Sequence, residues 1–182
     1  MDVNKDTYVG PSFSMTNRVL RVLWKICYLT CFRISPRPFH SWRCFLLRLF
    51  GASIGRDVHI YPSVSIWAPW NLEIGNRCGV GDRAILYTQD KITMGDEVVI
   101  SQGVHLCAGS HDHEKEGFPL ITKPIHLGSQ IWIAADAFVH PGIKIEDGVV
   151  VGARSVVVKD LEAWKIYSGF PAKAIKDRPI PS

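Results

Sequence analysis

The sequence predicts an all-β solenoid, a parallel β-helix of about five coils behind a short N-terminal helical segment. Three observations predict it. Aliphatic residues recur with a strict period of six from Ile54 onward, small residues directly follow several of them, and the apolar stretch before the repeat has helical spacing. At 182 residues the chain suits one domain, and 47% hydrophobic with 21% charged residues is ordinary for a folded globular protein.

The first element lies within residues 1–51. Val19 to Phe32, "VLRVLWKICYLTCF", contains Arg21 and Lys25, and fourteen residues with two cations are too few and too charged to span a bilayer. Leu20, Leu23, Trp24, Cys27 and Cys31 fall at helical spacing, so an amphipathic helix is expected. "SWRCFLLRLFG" reads as a second short helix capped at Gly51, with the proline-bearing linker "ISPRPFH" between them. Two readings stay open: a helical cap packed on the solenoid, or a basic surface in peripheral contact with the inner membrane through Arg18, Arg21, Lys25, Arg33, Arg37, Arg43 and Arg48. No cleavable signal peptide is apparent at the polar N-terminus. The five cysteines (Cys27, Cys31, Cys44, Cys78 and Cys107) form no CxxC pair and read as buried, reduced thiols of a cytoplasmic protein. A net charge of +4 without an aromatic-studded basic stretch gives no case for nucleic acid.

The second element, residues 52–162, is the repeat. Leu127, Ile133, Val139, Ile145, Val151 and Val157 are each six residues apart. A second modest residue follows four positions later at Ile131, Ala137, Ile143, Val149 and Ser155. Upstream the frame gives Ile54, Ile60 and Ile66, then Ile74, Val80 and Leu86, then Met94, Ile100 and Leu106, with Leu72-Glu73 and Ile92-Thr93 as two-residue insertions. A helix needs apolar spacings of three and four, and a meander needs alternation with turns every eight to twelve residues. A period of six fits short strands joined by tight corners, three per triangular coil. The coils run 54–71, 74–91, 94–111, 127–144 and 145–162, a prism about 24 Å tall at ordinary strand spacing.

The frame breaks once. After His111 it resumes only at Leu127, so residues 112–126 are expected to form a loop expelled at a corner, with His111 as the last residue held by the coil. A rigid strand end beneath a loop is where a reactive side chain is best positioned. Taken alone, His111 reads first as a structural corner histidine with a satisfied hydrogen bond; the loop beside it is what points to chemistry.

These motifs resemble the hexapeptide-repeat family, "[LIV]-[GAED]-x-x-[STAV]-x", whose members form left-handed parallel β-helices. "CAGSHDH" with "FPLITKPI" is most similar to the WcaF-type O-acetyltransferases of colanic acid and exopolysaccharide gene clusters, and also resembles the galactoside and maltose acetyltransferases. The resemblance covers residues 15 to 178. It implies an acetyl-CoA-dependent O-acetyltransferase of a saccharide, free or lipid-linked, with acetyl-CoA as co-substrate and no metal. The acetyl group passes directly within a ternary complex, and the active groove lies between subunits of a homotrimer. His111 matches the family's catalytic base. The block "IWIAADAFVHPGIKIEDGVVVGARSVVVKD…YSGFPAKAIK" matches the coenzyme-binding block, placing Ala135 and Ala153 along the pantetheine, Val158 and Lys159 near the adenosine end, and Lys173 and Lys176 at the CoA phosphates, with residues 163–182 as a tail contributing to that site. Each lysine also reads as a solvated surface charge. Ala134, Arg154 and Phe170 depart from the family pattern, and Gly81 stands where the galactoside enzymes carry an acceptor-binding asparagine, which argues against that acceptor.

Neutral His111 would take the hydroxyl proton, its other ring nitrogen held by a backbone carbonyl, Asp112, Glu114 or Glu116. Two other readings compete. A γ-type carbonic anhydrase needs a histidine pair five apart, whereas the gaps among His105, His111, His113, His126 and His140 are 6, 2, 13 and 14. A non-catalytic binding scaffold would leave the histidine and the lysine-bearing block unexplained.

Overall fold

The computed structural model describes residues 12–180; residues 1–11 of the expected helical segment and 181–182 of the expected tail lie outside the described residues. Helix α1 spans Met15–Cys27, its first turn capped by Ser14, whose hydroxyl accepts from the Asn17 amide. A wider helical turn, Tyr28–Phe32, continues it. Trp24, Tyr28 and Phe32 are buried, and the Trp24 indole donates to the Ile66 carbonyl at 2.7 Å, so this side of α1 is pinned to the first coil. Helix α2, His40–Leu49, buries Cys44, Leu46, Leu47 and Arg43, and closes on Gly51 at φ +87°.

Arg43 is fully buried with no carboxylate partner among the described residues. Its fork donates instead to the carbonyls of Ile60 (2.6 Å), Pro36 (2.9 Å) and Arg37 (2.5 Å) and to the Ser35 hydroxyl at 2.8 Å. One side chain thereby ties the proline linker, α2 and the first coil together.

From Ser53 the chain winds into three parallel sheets. Face one stacks Ser53–Ile54, Leu72–Ile74, Ile92–Met94, Ile125–Leu127 and Lys144–Ile145. Face two stacks His59–Ile60, Gly79–Val80, Val99–Ile100, Trp132–Ile133, Val150–Val151 and Lys165–Gly169. Face three stacks Ser65–Ile66, Ile85–Tyr87, His105–Cys107, Phe138–Val139 and Val156–Val157. Every residue of the period-six series is buried, from Ile54 to Val157, so the aliphatic column read from the sequence is the core.

The corners explain the small residues. Where faces one and two meet, Asn76, Asp96, Ser129 and Asp147 each accept, through a side-chain oxygen, the backbone amide one coil earlier: Arg56 at 2.9 Å, Asn76 at 2.6 Å, Asp96 at 3.1 Å and Ser129 at 2.6 Å. This ladder leaves no room for a side chain at the preceding corner position. A Cβ on Gly75 would lie 2.5 Å from the Gly95 carbonyl oxygen and 2.4 Å from an Asp96 carboxylate oxygen.

Five coils are complete, and a partial sixth follows. Leu161 bridges to Ile145 and Lys165–Gly169 pairs in parallel with Val150–Val151, so residues 161–169 extend the prism where a tail is expected from residue 163. The step from Val157 to Leu161 is four residues, not six, which takes this turn out of the repeat frame. Ala172–Asp177 then folds back antiparallel and covers the open edge of face two. Cys31 is exposed, contrary to the expectation of buried thiols, while Cys44 and Cys78 are buried; all five cysteines are free.

Candidate active site

The insertion is more ordered than a loop. The chain leaves the prism at Ala108 and forms an antiparallel hairpin, Gly109–His111 against Leu120–Thr122, with His111 opposite Leu120. The coil resumes at Ile125, which pairs with Ile92, two residues earlier than the sequence frame indicates. His111 therefore sits on the hairpin, exposed, rather than in the coil itself. At the hairpin base the Lys123 amide donates to the Ala108 carbonyl at 3.1 Å, so exit and return are clamped together.

His111 Nδ1 lies 2.6 Å from the Phe118 carbonyl oxygen. A carbonyl only accepts, so Nδ1 carries a proton, and in the neutral ring Nε2 is the nitrogen with the lone pair. Phe118 holds this carbonyl in place with φ at +45°, a left-handed conformation that costs a bulky side chain about 1–2 kcal/mol. Of the carboxylates open as partners, Asp112 is engaged elsewhere: its side chain accepts the Glu114 amide at 3.1 Å and meets Lys115 at 3.5 Å, shaping the turn. Cys107, four residues before His111, donates to the Gly109 carbonyl at 3.1 Å, and burial pushes its thiol above the ordinary range. It is a poor source of thiolate.

The other singled-out residues fall into two groups. Ala135 and Ala153 stack on the corner between faces two and three, where the Arg154 amide donates to the Ala135 carbonyl at 2.8 Å. Lys173, opposite Ser168, and Lys176, opposite Ile166, are exposed on the closing strand, and Ser168 abuts Gly152 beside Ala153. Val158 and Lys159 are exposed at the other end of face three, on the corner from which the His111 hairpin also departs two coils earlier. The expected site residues thus lie in two places on a single chain, the alanine corner with Lys173 and Lys176, and the His111 hairpin edge with Val158 and Lys159, separated by the width of face three.

The outer surface of that face is an aromatic column missed in the sequence: Trp67 to Tyr87 at 6.2 Å between ring centroids, Tyr87 to His105 at 6.1 Å, His105 to Phe138 at 4.9 Å, and Phe138 to His140 at 5.1 Å. In the sequence these residues stand directly before or after the buried aliphatics Ile66, Leu86, Leu106 and Val139, where they read as ordinary outward positions. Gly81 packs against the next coil, where a Cβ would lie 2.8 Å from the Gln102 amide nitrogen, so the corner has no space for an asparagine without backbone movement. Among the described residues no three His, Cys, Asp or Glu side chains converge in a metal-binding arrangement.

Comparison with known proteins sets this geometry in context. No family model matches the chain. It is 47% identical over 170 residues to a protein assigned as the colanic acid biosynthesis acetyltransferase WcaF of Escherichia coli (strain K12), covering 93% of each chain. It is 27% identical over 135 residues to the galactoside O-acetyltransferase of the same organism, covering 72% of this chain and 66% of that one. Among solved structures, a galactoside acetyltransferase in complex with coenzyme A superposes with a TM-score of 0.84 at 24% identity, covering 97% of this chain and 91% of that one. A maltose O-acetyltransferase from Clostridium difficile 630 gives 0.82 at 24% identity, covering 92% and 90%. At these identities the structural likeness is one of fold, and superposition preserves chirality, so the coil has the same hand as theirs.

Proposed function

Because the chain belongs to the hexapeptide-repeat acetyltransferases, an acetyl-CoA-dependent family, we propose that it transfers an acetyl group from acetyl-CoA to a saccharide hydroxyl, with His111 as general base. The observation that carries this reading is the Nδ1 contact to the Phe118 carbonyl, which leaves Nε2 a lone-pair acceptor on an exposed hairpin edge.

The acceptor hydroxyl gives its proton to His111 Nε2 as its oxygen bonds to the acetyl carbonyl carbon. The carbon–sulfur bond breaks, and the imidazolium returns the proton to the departing CoA sulfur. Phe118 stabilises the imidazolium through the same carbonyl. Transfer is direct, since the raised Cys107 thiol offers no acyl carrier.

The chain's own residues suit the coenzyme. Stacked corners at Ala135 and Ala153 carry no bulky side chain along the path of an extended pantetheine, and Lys173 and Lys176 supply cations for its phosphates. Val158 and Lys159 complete this site from a second copy, because they lie across face three from the alanine corner. A homotrimer with face three turned inward joins one copy's alanine corner to the next copy's histidine hairpin, and the later part of the aromatic column, from His105 to His140, supports such packing. The acceptor is a free or lipid-linked saccharide of an exopolysaccharide. In the lipid-linked case the enzyme works from the cytoplasmic side with its basic helical cap toward the inner membrane.

The test is thiol release from acetyl-CoA with hexoses, hexosamines and oligosaccharides, on wild type and His111→Ala. Acceptor-dependent kcat/KM is expected to fall on the order of 100-fold or more in the variant, with coenzyme binding retained. Wild-type protein that binds no CoA would leave only the scaffold reading.

A further inference from the structure

The cap holds a second feature with chemistry of its own. Between Ser12 and Arg56 the sequence has eight Lys and Arg residues and no Asp or Glu, although the whole chain is only +4. Helix α1 divides these residues into three stripes. Trp24 and Tyr28 face the solenoid and are buried. On the opposite side Met15, Val19, Val22 and Ile26 form a stripe whose members are between 51% and 68% exposed. Arg18, Arg21 and Lys25 run between the two.

This cationic stripe lines a cleft of about 420 Å³ against the first coil, with Tyr28, Ser65 and Trp67 on its walls and no carboxylate among the described lining residues. The Arg21 guanidinium sits 4.4 Å from the Trp67 ring centroid, and its Nε is buried without a hydrogen-bond partner among the described residues. A buried guanidinium donor with no acceptor among the described residues, beside two more cations, is a fitting partner for an anionic group. The apolar stripe beside it continues onto α2 through Trp42, whose indole donates to the Cys31 carbonyl at 3.1 Å, and Phe45, which stacks on Trp42. No described helix is long and apolar enough to cross a membrane.

We propose that the cleft of Arg18, Arg21 and Lys25 holds the phosphate of an anionic membrane lipid while the apolar stripe of α1 enters the bilayer surface beside it. The arrangement is that of an interfacial helix: apolar side inward, cations at headgroup depth, tryptophan at the boundary. The proposal rests on the membrane-facing reading of the cap and assigns it a site and a ligand class.

The experiment is flotation of the full chain with vesicles of phosphatidylcholine, alone or with phosphatidylglycerol added, beside a triple variant Arg18→Gln, Arg21→Gln, Lys25→Gln and a stripe variant Val19→Ser, Val22→Ser, Ile26→Ser. Wild type is expected on anionic vesicles only, released by salt and displaced by inorganic pyrophosphate. The triple variant should lose on the order of 100-fold in partitioning, as three cations leave the surface, and the stripe variant should lose most of its binding. Circular dichroism and CoA binding report whether the variants fold. If either misfolds, salt-insensitive binding of wild type still overturns the proposal. Binding by wild type with no loss in the triple variant refutes the cleft but spares the membrane reading; no wild-type binding refutes both, and neither outcome touches acetyl transfer. Wild-type vesicle binding by the stripe variant, together with a changed oligomeric state, would show that a second copy covers the stripe, and the proposal falls.

Discussion

The tautomer of His111 is set by a backbone carbonyl instead of a carboxylate, which separates its proton chemistry from the charges of the turn around it. The position was legible in the sequence because the six-residue frame stops beside it. Its partner was not legible, since a carbonyl belongs to no residue type and the Phe118 backbone conformation has no glycine to announce it. His105 is the contrasting case. Lodged between Tyr87 and Phe138, with Nε2 buried and unpartnered, it is held below the ordinary histidine range by burial. With the folded value below the unfolded one, near 6.5, the unfolded chain binds more protons between the two. The contribution to stability is therefore intact above about pH 6.5 and lost as pH falls through that window. Urea midpoints at pH 7.5 and pH 5 should differ more in wild type than in His105→Phe; equal acid losses would place the sensitivity elsewhere, with His40, also lowered by burial, the next group to test.

At the scale of the element, each coil turn depends on what the next one leaves room for. The glycine after Ile54, Ile74, Met94 and Leu127 reads in the sequence as a family motif; in the structure it is the space that the side-chain ladder of the coil beyond occupies. Gly75→Ala tests this. The added methyl would lie 2.4 Å from an Asp96 oxygen and 2.5 Å from a backbone carbonyl, so the corner must shift and lose the hydrogen bond from the Asn76 amide to Asp96. A loss of about 1–3 kcal/mol is expected, seen as a fall of several degrees in Tm, whereas Gly79→Ala, with open space around its Cβ, should fall much less. Helices α1 and α2 were legible from apolar spacing and from Gly51. The hairpin was not, because the strands Gly109–His111 and Leu120–Thr122 are only three residues each and carry mixed polarity.

For the whole molecule, the aliphatic column fixed the number of full coils, since a period of six repeated over one hundred residues admits few other packings. The sixth, partial coil escaped because a four-residue step from Val157 to Leu161 breaks the register and leaves Tyr167, not an aliphatic, to fill the last inward position. The two groups of expected site residues could not be separated from sequence either, because stacking around the prism decides which corner each residue meets. The trimer reading makes this division useful and can be tested at Phe138, at the centre of the aromatic column. Phe138→Asp should yield monomers by light scattering with the far-ultraviolet spectrum retained, and acetyl transfer should drop in step with the trimer fraction. A monomer with undiminished activity would show that one chain holds the complete site. The hairpin base has a longer-range consequence. With Ala108 and Lys123 clamped and Ile92 still meeting Ile125, the stack is continuous beneath the insertion. The segment between Ala108 and Lys123 can therefore change in length or sequence while every coil keeps its neighbours, since no coil-to-coil pairing passes through it.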